Sequence, residues 1–102
     1  MARRARRSGR CCTREDADAA IARIAPDPLV AAAPIALTAT GFGGVRRAYA
    51  ECLRDNILPI RAARGMHAAA PCNPVYTLDT DHSPMLSSPG ELAVILNEIA
   101  PT

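Results

Sequence analysis

The sequence predicts an α/β fold in which strands and helices alternate along the chain and the strands pair in parallel. Two short runs, VRRAYAECL (45–53) and VYTL (75–78), carry the apolar residues expected of buried strands. Each run is followed by apolar residues at helical spacing, so residues 45–102 follow the order strand, helix, strand, helix. That order is typical of parallel units joined by right-handed crossovers.

Residues 1–11 are predicted to be a disordered leader that is rich in arginine. Five of the twelve basic residues lie in the first ten positions, and all twelve are arginine. A basic arm for nucleic acid, a solvated tail and a start codon other than the natural one all fit this composition. We favour the solvated tail or the displaced start, so a nucleic-acid partner is not expected.

The first predicted helix begins after Thr13, which is suited to be its N-cap. Asp16, three residues further on, completes an approximate capping box. Pro26 and Pro28 end this helix, because proline removes a backbone donor and clashes with the preceding turn. The segment that follows, up to a glycine-rich turn at residues 41–44, is predicted to be weakly helical or irregular.

Two further helices are predicted in the second half of the chain. Pro59 is expected at the first position of the helix after the first strand, and His67 is expected to be a partly exposed residue of that helix. The last helix has Ser88 as its predicted N-cap and Glu91 in an S-x-x-E box. Its apolar stripe consists of Leu92, Ile95, Leu96 and Ile99.

The two loops that follow the strands carry the candidate catalytic residues. Asp55 lies just beyond the first strand and His82 just beyond the second. The carboxyl ends of parallel strands meet at one edge of a sheet, so the two side chains are predicted to come within hydrogen-bond reach. A carboxylate in that position fixes the tautomer of a histidine that transfers protons. Two other interpretations remain open: Asp55 as a cap for the helix near Pro59, and His82 as a surface residue.

Composition excludes several classes of protein. The four cysteines form no C-x-x-C pair and only two histidines accompany them, so a zinc site is not expected, and the pattern favours a reducing cytoplasm. No cofactor is expected. The chain has no run of about 18 apolar residues that could span a membrane. Acidic residues follow the basic start where a secretory signal would need an apolar stretch.

Two longer stretches, RAYAECLRDNILPI and TLDTDHSPMLSSPGELAVIL, together with the weaker APDPL, resemble the C-terminal portion of an α/β-hydrolase. The resemblance is to the branch that holds the plant methylesterases, the salicylate-binding esterases and the hydroxynitrile lyases, with their bacterial relatives. It implies an incomplete sheet of two parallel strands with a crossover helix and C-terminal helices at 45–102. Residues 12–44 would then form part of the cap over the substrate pocket.

The same resemblance implies the roles of the two loop residues. Asp55 corresponds to the acid of a catalytic triad and His82 to its base, and their order agrees with the superfamily order of Ser, acid and His. The lyases have a lysine directly after this histidine, whereas here the residue is Ser83. Hydrolysis of a small-molecule ester is therefore the chemistry that the resemblance implies.

The nucleophile expected of this family is missing from the sequence. None of the serines lies in a G-x-S-x-G motif, and a base without a nucleophile has nothing to activate. We therefore expect a truncated, serine-esterase-like chain that is inactive alone. Two alternatives remain: a small binding protein whose arginine-rich tail contacts nucleic acid or another acidic partner, and an enzyme completed by a separate N-terminal fragment. The serines are Ser8, Ser83, Ser87 and Ser88.

Overall fold

The computed structural model describes residues 12–28 and 33–101, so the predicted leader at 1–11 lies outside the described residues. The predicted order of strand, helix, strand, helix is confirmed, and a short helix precedes the last one. The elements are α1 (Arg14–Ala22), a 3-10 helix (Phe42–Gly44), β1 (Tyr49–Cys52), α2 (Ile60–Ala69), β2 (Val75–Leu78), α3 (Pro84–Ser87) and α4 (Pro89–Ile99).

The two strands form a parallel pair with α2 as the crossover between them. The register places Tyr49 opposite Val75 and Cys52 opposite Leu78. Side chains alternate between the two faces of a strand, so residues 49 and 51 share one face and residues 50 and 52 share the other. The face with residues 49 and 51 is the one that α2 covers, since the side chains of Arg64 and His67 reach it.

The buried interior is small, and it contains polar as well as apolar residues. Ala63, Leu78 and Ile95 are its buried hydrophobic residues within the described ranges. Burying a leucine or isoleucine side chain contributes roughly 1.5–3 kcal/mol, so this apolar core alone stabilises the fold only modestly. Among the helices of residues 12–28 and 33–101, none combines the length and the apolar character needed to cross a bilayer. The buried polar residues are Glu51, Thr80 and Asp81.

Most of the predicted helix boundaries match the structure, and the N-terminal cap of α1 is confirmed. Thr13 is its N-cap, and the hydroxyl of Thr13 accepts a hydrogen bond from the backbone N–H of Asp16 at 3.1 Å. Pro59 is the N-cap of α2 and not its first residue. Ser88 is the N-cap of α4, but its side chain makes no capping hydrogen bond and its N–H donates to the carbonyl oxygen of Pro84, so the predicted S-x-x-E box is not formed.

The first strand is shorter than the sequence suggests, because residues 45–48 stay outside the sheet. The guanidinium of Arg47 donates hydrogen bonds to the carbonyl oxygens of Val45 and Pro71, at 3.2 and 3.3 Å. It also lies 4.2 Å from the ring centre of Phe42. These contacts hold the side chain of Arg47 against the 3-10 helix and the loop before β2. The carbonyl oxygen of Arg47 still accepts from the N–H of Asn73 at 2.8 Å, and the regular pairing of the strands begins at Tyr49.

Candidate active site

The parallel pairing of the strands continues into the loops that follow them. The N–H of Leu53 donates to the carbonyl oxygen of Leu78, and the N–H of Arg54 donates to that of Thr80, both at 2.9 Å. The segments that follow β1 and β2 therefore leave the sheet side by side. Asp55 is the next residue after Arg54 on the first segment, and His82 lies two residues after Thr80 on the second.

Asp55 and His82 meet at this edge of the sheet, as the placement of their loops predicts. Nδ1 of His82 lies 2.7 Å from Oδ2 of Asp55. The two side chains differ in burial: the carboxyl group is 7% exposed and the imidazole is 43% exposed. The pair thus has a sheltered acid and a base that solvent can reach, and its catalytic role stays a prediction.

Each oxygen of the Asp55 carboxyl group has a separate task. Oδ1 accepts hydrogen bonds from the backbone N–H groups of Ile57 and Leu58, at 2.8 and 2.9 Å. Ile57 and Leu58 precede α2, whose N-cap Pro59 has no side-chain capping bond, so Asp55 does not cap that helix, which was the alternative the sequence left open. The carboxyl group instead closes its own loop, and this role coexists with the bond from Oδ2 to His82. The carboxyl group is held from two directions, which fixes its plane against the histidine.

The electrostatics of Asp55 favour its ionised form. Burial by itself raises the pKa of this carboxyl, but the hydrogen bonds from His82 and from the N–H groups of Leu58 and Ile57 outweigh burial and leave the pKa below its ordinary value. An ionised carboxylate has no proton to donate, so the proton in the short bond belongs to Nδ1 of His82. The neutral ring then has its lone pair on Nε2, on the side away from Asp55.

A surface ion pair braces the two loops beside this pair. Nε of Arg54 lies 2.9 Å from Oδ1 of Asp79, and an Nη of Arg54 donates to the backbone oxygen of Asp79 at 2.8 Å. Both side chains are largely exposed, so the contribution to stability is small. The contact nevertheless joins the loop of Asp55 to the loop of His82.

A second pair of an acid and a histidine lies under α2, and it was not predicted from the sequence. Glu51 is buried, and its Oε2 lies 3.2 Å from Nε2 of His67. Oε1 accepts hydrogen bonds from Arg64 at 3.0 Å and from the hydroxyl of Thr77 at 2.9 Å. The ring of His67 also lies against Tyr49, with ring centres 5.0 Å apart.

This network holds Glu51 ionised. The hydrogen bonds from Arg64 and His67 lower the pKa of Glu51 to about 2, with help from Thr77 and against the effect of burial. The signal in the sequence was a lone glutamate inside an apolar strand, followed by an arginine and a histidine three residues apart on one helix face. Among the described residues, no group of three or more potential metal ligands is assembled.

Known proteins resemble this chain in both sequence and structure. The chain is 39% identical over 67 residues to putative methylesterase 11, chloroplastic, of Arabidopsis thaliana, a match that spans 65% of this chain and 17% of that protein. It is 38% identical over 90 residues to putative methylesterase 19 of the same plant, covering 84% of this chain and 35% of the relative. No family model matches the sequence.

The structural likeness is to an esterase. The crystal structure of polyneuridine aldehyde esterase superposes with a TM-score of 0.81 and 26% sequence identity, over 90% of this chain and 38% of that chain. The chain thus spans about a third or less of the curated relatives named above, and a little more of the esterase.

Proposed function

Because the chain belongs to the esterase branch of the α/β-hydrolase superfamily, we propose that Asp55 and His82 are the acid and the base of a carboxylic-ester hydrolase. The observation that carries this proposal is the 2.7 Å contact between Nδ1 of His82 and Oδ2 of Asp55. The names of the plant relatives make a methyl ester of a small organic acid the substrate class to test first.

In this role His82 acts through Nε2. Nε2 takes the proton from a serine hydroxyl as that oxygen attacks the ester carbonyl, and later returns it to the departing alcohol. The imidazolium formed between these two steps is stabilised by the ionised carboxylate of Asp55. That acid also keeps the proton of the resting ring on Nδ1, which leaves the lone pair of Nε2 free for the serine.

The nucleophile in this proposal comes from outside these 102 residues, since the sequence contains no G-x-S-x-G motif. Ser83 is a poor substitute because it is adjacent to His82, and its backbone N–H is bound to Asp81. The 102 residues by themselves are therefore expected to hydrolyse a short-chain aryl ester no faster than free imidazole does at the same concentration.

A chimeric enzyme tests the proposal directly. Residues 45–101 of this chain would replace the matching part of a plant methylesterase, which supplies the serine and the remaining strands. The chimera should hydrolyse methyl esters, and Asp55→Asn should lower its kcat by up to about ten-thousand-fold, the effect known for loss of the acid in a serine protease triad. His82→Ala should leave no activity above the background.

His67→Ala is the matched control, because His67 also pairs with a carboxyl group but lies away from the loops after the strands. This variant of the chimera should keep its kcat. Hydrolysis that survives His82→Ala, or that is lost equally in His67→Ala at a temperature where both variants are folded, would contradict the assignment.

A further inference from the structure

A second acid, Asp81, is buried in the loop that carries His82. Its relative exposure is 0%. Oδ1 of Asp81 accepts a hydrogen bond from the backbone N–H of Ser83 at 3.0 Å and another from the hydroxyl of Ser87 at 3.1 Å. The reaction proposed above makes no use of this side chain. A buried carboxyl group is nevertheless costly unless donors satisfy its oxygens, so its presence in this loop calls for a physical role.

The two hydrogen bonds of Asp81 constrain the backbone around His82. Asp81 precedes the histidine and Ser83 follows it, so the bond from Ser83 closes a turn of the Asx type with His82 at its centre. Ser87 lies in α3, and its hydroxyl connects the same oxygen to that helix. Pro84 is buried at the start of α3 and has a fixed φ, which restricts the chain further.

The backbone matters here because the ring of His82 has little packing of its own. The imidazole is 43% exposed, so neighbouring side chains leave much of its surface uncovered. On the other side of the loop, Thr80 is 1% exposed and its carbonyl oxygen is bound by the N–H of Arg54. The loop is therefore anchored before and after His82, and its backbone determines where the ring points.

We infer that Asp81 is a positioning residue for His82, which holds the loop in the conformation that directs Nδ1 towards Asp55. The inference rests on the proposed function, in which the ring must present Nε2 to a serine. The two acids act differently: Asp55 bonds the ring itself, whereas Asp81 acts through the main chain and through α3.

The tautomer of His82 reports this positioning. The sequence contains two histidines, so their ring nitrogens can be assigned by NMR on the ¹⁵N-labelled chain. In the wild-type chain the proton of His82 should reside on Nδ1. In Asp81→Ala the ring should lose this preference and move towards the Nε2–H form that free histidine favours. His67 is the internal control, and its spectrum should not change.

Asp81→Asn is the conservative variant, because its amide oxygen can still accept from Ser83 and Ser87. It should retain the Nδ1–H form of His82. Asp81→Ala is expected to fold, since the hydroxyl of Ser87 lies 3.2 Å from the carbonyl oxygen of Ser83 and can donate there instead. If it does not fold, Ser87→Ala replaces it as the test, with a partial loss of the Nδ1–H form expected.

The outcomes separate this inference from the proposed function. An Nδ1–H form of His82 that persists in folded Asp81→Ala, or in Ser87→Ala if that variant is needed, would overturn the role of Asp81 alone. Loss of the Nδ1–H form in Asp81→Asn to the same extent as in Asp81→Ala would also overturn it. An Nε2–H tautomer in the wild-type chain would instead contradict the bond to Asp55 and with it the proposed function.

Discussion

One acid–histidine pair lies in the loops that follow the two strands, the other lies between β1 and α2, and the two pairs present their rings in opposite ways. His82 uses Nδ1 to meet Asp55 and is 43% exposed, whereas His67 uses Nε2 to meet Glu51 and is 19% exposed. The first ring therefore offers Nε2 to an incoming group from an open loop. In the second ring, that of His67, Nε2 contacts the buried Glu51 between α2 and β1.

The two acids differ in how their oxygens are shared. One oxygen of Asp55 is given to its own loop and the other to His82. Glu51 divides its oxygens among Arg64, His67 and Thr77, and it joins α2 to both strands. A hydrogen bond between an acid and a histidine is thus not a sufficient mark of catalysis. The position of the free ring nitrogen is what distinguishes a base from a structural contact.

The largest expected effect on stability is at Glu51. In Glu51→Gln an amide nitrogen faces the donors of Arg64 and His67, so at least one of them loses its acceptor inside the protein. The midpoint of thermal unfolding should fall by about 5 °C or more, measured by circular dichroism. Asp55→Asn is the matched change in the other pair. Its amide oxygen can keep the two backbone hydrogen bonds, so its midpoint should fall much less.

An equal fall of the unfolding midpoint in Glu51→Gln and Asp55→Asn would contradict the division into a structural pair at Glu51 and an accessible pair at Asp55. A larger fall in Asp55→Asn would mean that Asp55 belongs to the structural pair.

Acid should weaken the fold through the same glutamate. The pKa of Glu51 is lowered from 4.5 to about 2 in the folded chain, so folding favours the ionised form. Its stabilising contribution is complete at pH values above 4.5 and is lost as the pH falls towards 2. Urea unfolding across this range should show the decline. In Glu51→Gln the free energy of unfolding should fall less steeply as the pH is lowered. An unchanged dependence on pH would mean that other carboxyl groups cause the decline.

The smallest expected effect on stability is at His82. The imidazole is half exposed, and Asp55 keeps its two backbone hydrogen bonds without it, so His82→Ala should change the free energy of unfolding by no more than about 0.5 kcal/mol. His67→Ala, which removes one hydrogen bond to Glu51 and the contact with Tyr49, should cost about 1 kcal/mol. Urea unfolding of both variants measures the difference. A greater cost at His82 would make that residue a structural one.

Local pattern was enough to predict the elements and the meeting of the two loops. Three local signals act through near neighbours, and each gave a boundary within a residue or so. They are Thr13, the proline near the start of α2, and the short run of β-branched and aromatic residues at 75–78. Asp55 and His82 could be placed together because parallel strands deliver their following loops to one edge. The start of β1 was placed too early: the regular pairing begins at Tyr49, and the side chain of Arg47 instead bonds to Pro71, a contact between residues distant in the sequence.

The polar network under α2 and the role of Asp81 could not be predicted from the sequence, because they depend on contacts between residues of different elements. Glu51 lies in an apolar run, and its burial is tolerated only because Arg64, His67 and Thr77 converge on it from two other elements. Asp81 is next to the histidine in sequence, but nothing in the sequence indicates that Ser83 and Ser87 enclose it.

The accessibility of Nε2 distinguishes the two histidines most directly, and diethyl pyrocarbonate, which acylates neutral imidazole nitrogen, measures it in a single folded sample. Tandem mass spectrometry would give the rate at each ring. We predict that His82 is modified several-fold faster than His67 and that the adduct forms on Nε2. Equal rates, or faster modification of His67, would contradict the claim that this chain presents His82 as an accessible base.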